Sequence, residues 1–163
     1  MSFRKFNKEN IFLAGFSREP TGLVHVFIDN SNAYIQGKKF VGKKEGLSEN
    51  LICIDYGLLF KTVLNGRNYR DHPVIVGSRP LPDDSLWKDL EELGFKVKVF
   101  DRVRNKEKGV DIELAGFISD AIQDYKRPGI LVLIAGDGDY GPTLRRALER
   151  GWIVEIWFWK EGN

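Results

Sequence analysis

The chain has 163 residues, 42% of them hydrophobic and 12% aromatic, which is enough to bury the core of one ordinary globular domain. Its 25 Lys and Arg residues nearly balance 23 Asp and Glu residues, so the net charge of +2 identifies no class of partner, and any basic face must come from local clustering. The single cysteine, Cys53, excludes an internal disulfide and a cysteine-rich zinc site, and no apolar run approaches the roughly 20 residues that span a bilayer. We expect a soluble intracellular protein without a membrane partner, cytoplasmic or in an organelle that the sequence does not identify.

Apolar runs and amphipathic segments alternate along most of the chain. Residues 1–22 mix charge, Gly, Pro and isolated aromatics, and we expect them to form an extension on a domain that spans 23–163. Five strands are predicted, at 23–29, 74–77, 97–101, 130–135 and 152–159. Four helices are predicted, at 51–64, 84–93, 112–122 and 142–150. This alternation predicts right-handed crossovers and a mainly parallel five-stranded sheet covered on both faces.

Acidic residues stand where three of these segments end or begin. Asp29 ends the first strand, Asp111 opens a helix after Lys-Gly-Val, and Asp137 and Asp139 follow the fourth strand. Because the carboxyl ends of parallel strands meet at one edge of a sheet, we expect these carboxylates to gather there. Oxygen donors of this kind hold Mg²⁺ or Mn²⁺ against a phosphate ester.

Ordinary structural roles compete with this interpretation. Helix capping explains Asp111 by itself as well as catalysis does. Capping is a weaker explanation for Asp137 and Asp139, because Pro142 at the first helical position leaves both carboxylates outside the cap. The polar run at 30–32 fits an Asx-type turn, although an amide beside a carboxylate can also hold a phosphate oxygen. Taken together, the residues favour a metal-dependent phosphate site.

Three motifs occur in order: a strand ending in Asp29 with Asn32 three residues on, Lys-Gly-Val before Asp111 at a helix start, and Gly-Asp-Gly-Asp-Tyr-Gly-Pro, which contains Asp137 and Asp139. This combination resembles the NYN domain, a branch of the PIN-like nuclease superfamily, over about residues 23–159. The resemblance implies a three-layer α/β/α Rossmann-like (PIN-like) sandwich and, in active members, divalent-metal-dependent hydrolysis of phosphodiester bonds in RNA. It also implies the four acids as ligands of Mg²⁺ or Mn²⁺, and the same acids with Asn32 as the catalytic residues.

One position departs from the family pattern. Members commonly carry another acid about two turns into the helix that the Val-Asp motif opens. Here the nearest acid is Asp120, nine residues beyond Asp111 and about 180° round an ideal helix, so the two are not expected to share a face. Ser119 and Glu113 are weak substitutes. An alternative is therefore a catalytically weak or inactive domain that binds RNA or a protein.

Two other phosphate-handling classes fit less well. A phosphatase on a related α/β sheet would use Asp29 as a nucleophile, but Ser31 stands where a second Asp is expected. A nucleotide-binding Rossmann protein is disfavoured because the run around Asp137 lacks the GxGxxG spacing and puts negative charge where a pyrophosphate would sit.

Two basic clusters are candidate contacts to an RNA backbone. The first cluster contains Lys38, Lys39, Lys43 and Lys44, and the second contains Arg102, Arg104, Lys106 and Lys108 beside Asp111. Tyr34, Tyr69 and Tyr140 are candidates for stacking on unpaired bases, which favours single-stranded over duplex RNA. RNA, single-stranded or structured, is thus the expected partner, and a homodimer or a protein partner stays open.

Overall fold

A computed structural model describes residues 2–6, 21–78, 84–101, 109–136 and 138–159. Its centre is one six-stranded sheet. The strands are β1 (Ser2–Phe6), β2 (Val24–Asp29), β3 (Val74–Ser78), β4 (Lys96–Phe100), β5 (Ile130–Ile134) and β6 (Ile153–Phe158). Their spatial order is β1-β6-β5-β2-β3-β4, and β2 to β6 are parallel to their neighbours. The predicted parallel five-stranded sheet is confirmed, and each strand lies within one residue of its predicted ends.

β1 is a sixth strand that the sequence pattern did not predict. It pairs antiparallel with β6, from Ser2 opposite Phe158 to Phe6 opposite Val154. Its run of Ser-Phe-Arg-Lys-Phe lacks the period of two that marks a half-buried strand. The pairing is decided by the open edge of β6, which offers unpaired backbone groups to any extended segment nearby.

In the described part of the chain, five helices cover the sheet: α1 (Asn30–Glu45), α2 (Tyr56–Leu64), α3 (Ser85–Glu92), α4 (Val110–Asp124) and α5 (Gly141–Glu149). Single 3-10 turns occur at Glu49–Leu51 and Gly138–Tyr140. α2 begins later than its predicted start at residue 51, because the Asp55 carboxylate accepts a hydrogen bond of 2.9 Å from the backbone N–H of Leu58 and caps the helix there.

α1 was not predicted from the sequence, and the first basic cluster, Lys38, Lys39, Lys43 and Lys44, lies on it. The helix is capped by Asp29 at its start and ends at Gly46, whose φ of 65° is the left-handed conformation that glycine adopts without strain. The positions that α1 buries are small or polar, such as Ala33, Gly37 and Gly42. Such a face lacks the large apolar stripe by which a helix is recognised in sequence.

The core lies in two layers, one on each face of the sheet. Side chains of α1, α2 and α3 pack on one face, and those of α4 and α5 pack on the other. Along β2, Val26 and Ile28 point to the first layer and Phe27 to the second. Each buried side chain of this size contributes roughly 1.5–3 kcal/mol. The three-layer α/β/α sandwich expected from the sequence is therefore confirmed.

The order of the strands creates a crevice beside β2. From β2 the chain continues to β3 and β4 on one side, whereas β5 and β6 lie on the other. In open α/β sheets such a reversal separates the loops at the carboxyl ends of the two strands, which leaves room for a ligand. Asp29 ends β2 at this point. Among the described helices, none has the length and hydropathy needed to cross a bilayer.

Candidate active site

A cleft of about 350 Å³ opens at the carboxyl end of β2, between the first turns of α1 and α4 and the 3-10 turn that precedes α5. Four of the residues predicted from the sequence line it: Asp29, Asn32, Asp111 and Asp139. They come from three separate segments of the chain, and the parallel sheet brings those segments to one edge. We refer to this depression as the acidic cleft.

Asp29 lies at the base of the acidic cleft and is buried, with only 6% of its surface exposed. Its Oδ1 accepts a hydrogen bond of 3.1 Å from the backbone N–H of Asn32, which caps α1. Its Oδ2 accepts a hydrogen bond of 2.7 Å from the hydroxyl of Tyr140, which is fully buried. The two bonds fix the orientation of the carboxylate at the base of the acidic cleft.

The start of α1 is held by a further buried pair. The hydroxyl of Tyr56 donates to the side-chain carbonyl of Asn30, and both residues are buried. Burial raises the pKa of Tyr56 above its ordinary value, with a smaller contribution from Tyr34, so the hydroxyl keeps its proton. This contact ties α2 to α1 beside Asp29 and makes the base of the cleft rigid.

Asp111 reaches the cleft because the chain turns sharply just before α4. Gly109 has a φ of 93°, which an L side chain adopts only with strain. Val110, the first residue of α4, is buried in the core, and Asp111 therefore remains half-buried at the cleft wall. Asp139 is exposed on the 3-10 turn before α5 and forms the opposite rim.

Asn32 stands between the acidic cleft and the loop that follows β5. A Cβ atom placed on Gly136 would come within 3.0 Å of the Asn32 Oδ1 atom, so the amide packs closely against this loop. Asp137 is the next residue in that loop and lies outside the described residues. Its place beside Asn32 remains a prediction.

The donor atoms of the cleft suit a small divalent cation. Carboxylate and amide oxygens are the ligands that Mg²⁺ and Mn²⁺ prefer. Within the described part of the chain, no three carboxylate, imidazole or thiol groups converge on one point. Mg²⁺ ordinarily keeps several waters and binds one or two carboxylates, so an open arrangement of acids fits a hydrated ion.

The other predicted residues are dispersed. Lys39 and Lys43 face a neighbouring depression. Lys38 lies 4.7 Å over the Tyr34 ring and donates a hydrogen bond of 3.2 Å to its hydroxyl. Asp120 is exposed near the opposite end of the sheet and does not line the acidic cleft. Arg102, Arg104, Lys106 and Lys108 lie outside the described residues.

Two of the three tyrosines suggested for base stacking are not placed for that role. The expectation that Tyr140 is exposed is wrong, because its side chain is 1% exposed and its hydroxyl holds Asp29. Tyr69 is exposed, but it forms a bridge with Val24 at the amino end of β2, away from the cleft. The residues next to Tyr69 and Tyr140 in the sequence do not show which tyrosine is buried, because burial depends on segments that are distant in the chain.

The cleft lining also contains Ser31, Ile35 and Gln36, which were not predicted as site residues, and Tyr140, which was predicted to stack on bases rather than to hold Asp29. Gln36 carried a usable signal. It follows Asn32 by four positions, the spacing that places two side chains on one face of a helix. A prediction of α1 would therefore have placed Gln36 beside Asn32.

The sequence model of the NYN domain matches residues 23–163. The matched region contains every helix and strand described above except β1. No curated protein and no solved structure matched the chain.

Proposed function

The chain belongs to the NYN domain family, a family of nuclease-like RNA-binding domains, and on that premise we propose that it is a metal-dependent ribonuclease that hydrolyses phosphodiester bonds of single-stranded RNA. One observation carries the proposal: Asp29, Asp111 and Asp139 line a single cleft with the amide of Asn32. Such a cleft repels a phosphate ester unless a cation is also bound. The proposed substrate and the proposed Mg²⁺ or Mn²⁺ therefore depend on each other.

The three carboxylates are the proposed ligands, with Asp137 as a fourth. A bound Mg²⁺ or Mn²⁺ supplies charge neutralisation at the phosphate ester and makes water more acidic. Asp29 is the fixed ligand, because the Asn32 N–H and the Tyr140 hydroxyl orient both of its oxygens. The Asn32 amide can donate from Nδ2 to a phosphate oxygen.

The reaction needs a group that accepts a proton from water. Asp139 suits this role better than Asp29, since it is exposed at the rim whereas Asp29 is buried and hydrogen-bonded on both oxygens. The water oxygen bonds to phosphorus, its proton passes to the Asp139 carboxylate, and the ester bond to the 3′ oxygen breaks. The departing 3′ oxygen takes up a proton from the solvent, which leaves a 3′-hydroxyl and a 5′-phosphate, and Asp139 returns its proton to the solvent.

The helices add a favourable field at the same place. α1 and α4 both begin at the cleft, so the positive ends of their dipoles and their first backbone N–H groups face a bound phosphate. This partial positive charge reduces the repulsion between the carboxylates and the substrate.

The decisive experiment is cleavage of end-labelled single-stranded RNA in Mn²⁺, Mg²⁺ or EDTA by the wild type and by Asp29→Asn. We expect cutting that requires the metal and falls by roughly a hundredfold or more in the variant. Asp55→Asn is the matched control, because Asp55 also caps a helix but lies outside the cleft. Circular dichroism establishes that both variants are folded. Equal, metal-independent cutting by all three proteins would reject the proposal.

A domain that binds RNA without cutting it is the second candidate. It is favoured by the described carboxylates, which do not converge as a set of three, and by Asp120, which faces the other end of the sheet. RNA binding without cleavage in any metal, together with no heat of Mn²⁺ binding by calorimetry, would support this candidate instead.

A further inference from the structure

A second depression adjoins the acidic cleft and has the opposite charge. It lies between α1 and the carboxyl ends of β5 and β6, with a volume of about 490 Å³, within the roughly 300–1,000 Å³ typical of ligand pockets. We refer to it as the basic groove. The side chains that distinguish it are Asn32, Gln36, Lys39, Phe40, Lys43 and Trp159.

α1 joins the two depressions along one continuous face. Asn32, Gln36, Lys39 and Lys43 are separated by four, three and four positions, which places them in one row on a helix. The row is about 16 Å long, the length of roughly four or five stacked nucleotides. Asn32 and Gln36 line both the acidic cleft and the basic groove. A strand that enters the cleft can therefore continue along α1 without leaving the surface.

The charges of the groove complement those of a nucleic-acid backbone. Lys39 and Lys43 are both exposed and line the groove one helical turn apart. In the described part of the chain, Lys39 forms no ion pair that would neutralise it. The positive side chains can contact phosphates that flank the one in the cleft, where the carboxylates are reserved for a cation.

A fixed aromatic surface forms the other wall. The Trp159 Nε1–H donates a hydrogen bond of 2.8 Å to the backbone carbonyl of Ala33, and the indole stacks on Phe40 with ring centroids 5.9 Å apart and planes 29° apart. A Cβ atom on Gly37 would come within 2.7 Å of the indole, so the glycine makes this approach to α1 feasible. The ring is thus held in place before any ligand arrives.

We propose that the basic groove binds the nucleotides of single-stranded RNA that flank the scissile phosphate. Lys39 and Lys43 contact backbone phosphates, and the paired rings of Phe40 and Trp159 contact unpaired bases. The identification of RNA as the ligand rests on the proposed function. The inference that the groove is a binding site rests on its positive charge, its aromatic rings and its continuity with the acidic cleft. A duplex is the wrong occupant because its bases are stacked inside the helix and cannot reach the rings.

The first test uses the full chain, a short fluorescein-labelled single-stranded RNA and EDTA, with binding measured by fluorescence anisotropy. The double variant Lys39→Glu/Lys43→Glu is expected to weaken binding by about tenfold or more and to lower the salt slope of log K by about 1.4, which is the value for two lost phosphate contacts. The control Lys61→Glu/Lys88→Glu has the same net charge and reverses exposed lysines that lie outside the groove and outside both basic clusters. It is expected to bind nearly as tightly as the wild type.

The second test concerns the rings. Trp159→Ala is expected to weaken binding by roughly five- to hundredfold, the range for loss of one stacked base. Tyr69→Ala, which removes an exposed aromatic at the amino end of the sheet, is the matched control and is expected to have no effect. As a check that does not depend on the fold of a variant, wild type irradiated with 5-iodouridine RNA is expected to cross-link to α1 or to the peptide that carries Trp159.

The outcomes separate the groove from the ribonuclease activity. If the protein cleaves RNA with a metal but the groove variants bind RNA as tightly as their controls, the proposed role of the groove is wrong and the proposed ribonuclease activity stands. Groove-dependent binding without cleavage would reject the ribonuclease and support the groove. If duplex RNA binds through the same lysines as tightly as single-stranded RNA or more tightly, the groove is not specific for single strands and that part of the proposal is wrong. If the wild type binds no RNA, the whole proposal is wrong.

Discussion

Both ends of the parallel sheet carry acids beside a depression, but their surroundings differ. At the carboxyl end, the buried carboxylate of Asp29 is held by two neutral donors, a backbone N–H and the Tyr140 hydroxyl. At the amino end, a depression of about 190 Å³ is lined by exposed acids, among them Asp71, Asp120 and Asp124. The number of acids is therefore a poor guide to the position of a site.

One acid of the amino end, Asp71, belongs to a network of contacts within the fold. The Tyr125 hydroxyl donates a hydrogen bond of 2.9 Å to Asp71, and the Arg70 guanidinium lies 4.6 Å over the Tyr125 ring. The buried His25 ring packs edge-on against Tyr125 and Trp152, with centroid distances of 4.7 and 5.0 Å. Asp71, Arg70 and His25 are therefore joined to one another through Tyr125.

Helix direction explains the contrast. In this sheet the helices that follow the strands begin near the carboxyl ends and finish near the amino ends. Backbone N–H groups and positive dipole ends therefore face the acidic cleft, and carbonyl groups with negative dipole ends face the other side. The backbone therefore contributes a field that favours an anion at the carboxyl end of the sheet and disfavours one at the amino end.

The largest expected contrast comes from removing one carboxylate at each end of α4. Asp111→Asn should lower metal-dependent RNA cleavage by roughly a hundredfold or more, because it removes a proposed ligand. Asp120→Asn is the same change nine residues further along the same helix, outside the cleft, and should leave the rate within about twofold. Initial rates on single-stranded RNA measure both, and an equal loss in the two variants would contradict the comparison.

Charges outside the cleft are expected to matter for stability instead. Glu155 is buried in β6, and its two carboxylate oxygens accept hydrogen bonds of 2.8 and 2.9 Å from Arg67. Glu155→Ala leaves the Arg67 guanidinium, 27% exposed, without this partner. We expect a loss of about 3 kcal/mol in the free energy of unfolding.

Urea denaturation followed by tryptophan fluorescence measures this loss. Glu149→Ala on α5 is the control, because Glu149 is exposed, and it should change stability by less than about 0.5 kcal/mol. Asp111→Asn is expected to fall in the same small range. A loss for Asp111→Asn as large as that for Glu155→Ala would show that the cleft acids are structural.

The amino end should also make stability depend on pH. Burial and, to a smaller extent, the positive charge of Arg70 lower the pKa of His25 to about 4, although Asp71 opposes part of this shift. Between that value and the ordinary value of 6.5, the unfolded chain binds a proton that the native state does not, so stability falls as the pH falls. The expected loss from pH 7.5 to pH 5 is about 2 kcal/mol.

Urea midpoints of the wild type and of His25→Phe at both pH values test this dependence. The variant keeps a ring between Tyr125 and Trp152 but has no titrating nitrogen, so its stability should fall less on acidification. The difference between the two proteins in the change of stability with pH removes the contribution of the carboxylates, because these titrate in both proteins. Parallel slopes would mean that His25 is protonated in the native state as readily as in the unfolded chain.

The smallest expected difference is in the stability lost when each of two tyrosine hydroxyls that donate to an aspartate is removed. Tyr140→Phe removes a buried donor to Asp29 and should cost about 1.5 kcal/mol of stability, with a fall in cleavage smaller than that of Asp29→Asn. Tyr125→Phe removes a donor to the exposed Asp71, which water can replace, and should cost less than about 0.5 kcal/mol. Paired urea titrations and cleavage rates measure the difference, and equal costs would show that burial of Asp29 does not matter.

The strands were predictable because their patterns are local. Apolar, β-branched runs such as the one that forms β5 need no knowledge of distant residues, and the helices of α4 and α5 begin close to their predicted starts. The gathering of Asp29, Asp111 and Asp139 was also predictable. Parallel strands joined by helices must bring their carboxyl ends to one edge, wherever the acids stand in the chain.

α1 was hidden from the sequence for a physical reason. A helix that buries glycine and alanine shows no apolar stripe, so its lysines resembled a solvated loop. Because α1 was not predicted, the sequence pattern did not indicate that the side chains from Asn32 to Lys43 form one row or that a groove lies beside that row. The sixth strand, β1, was missed because its pairing is decided by the free edge of β6 rather than by its own pattern.

The sequence by itself determined the alternation of strands and helices, the edge of the sheet where the acids meet, and the family. Only the tertiary structure decided which neighbours those acids have. Tyr140 is 111 positions from Asp29 and Trp159 is 126 positions from Ala33, yet these contacts orient the cleft carboxylate and build the groove wall. Periodicity records which face of an element is buried, whereas the identity of the partner across the core depends on how the whole chain packs.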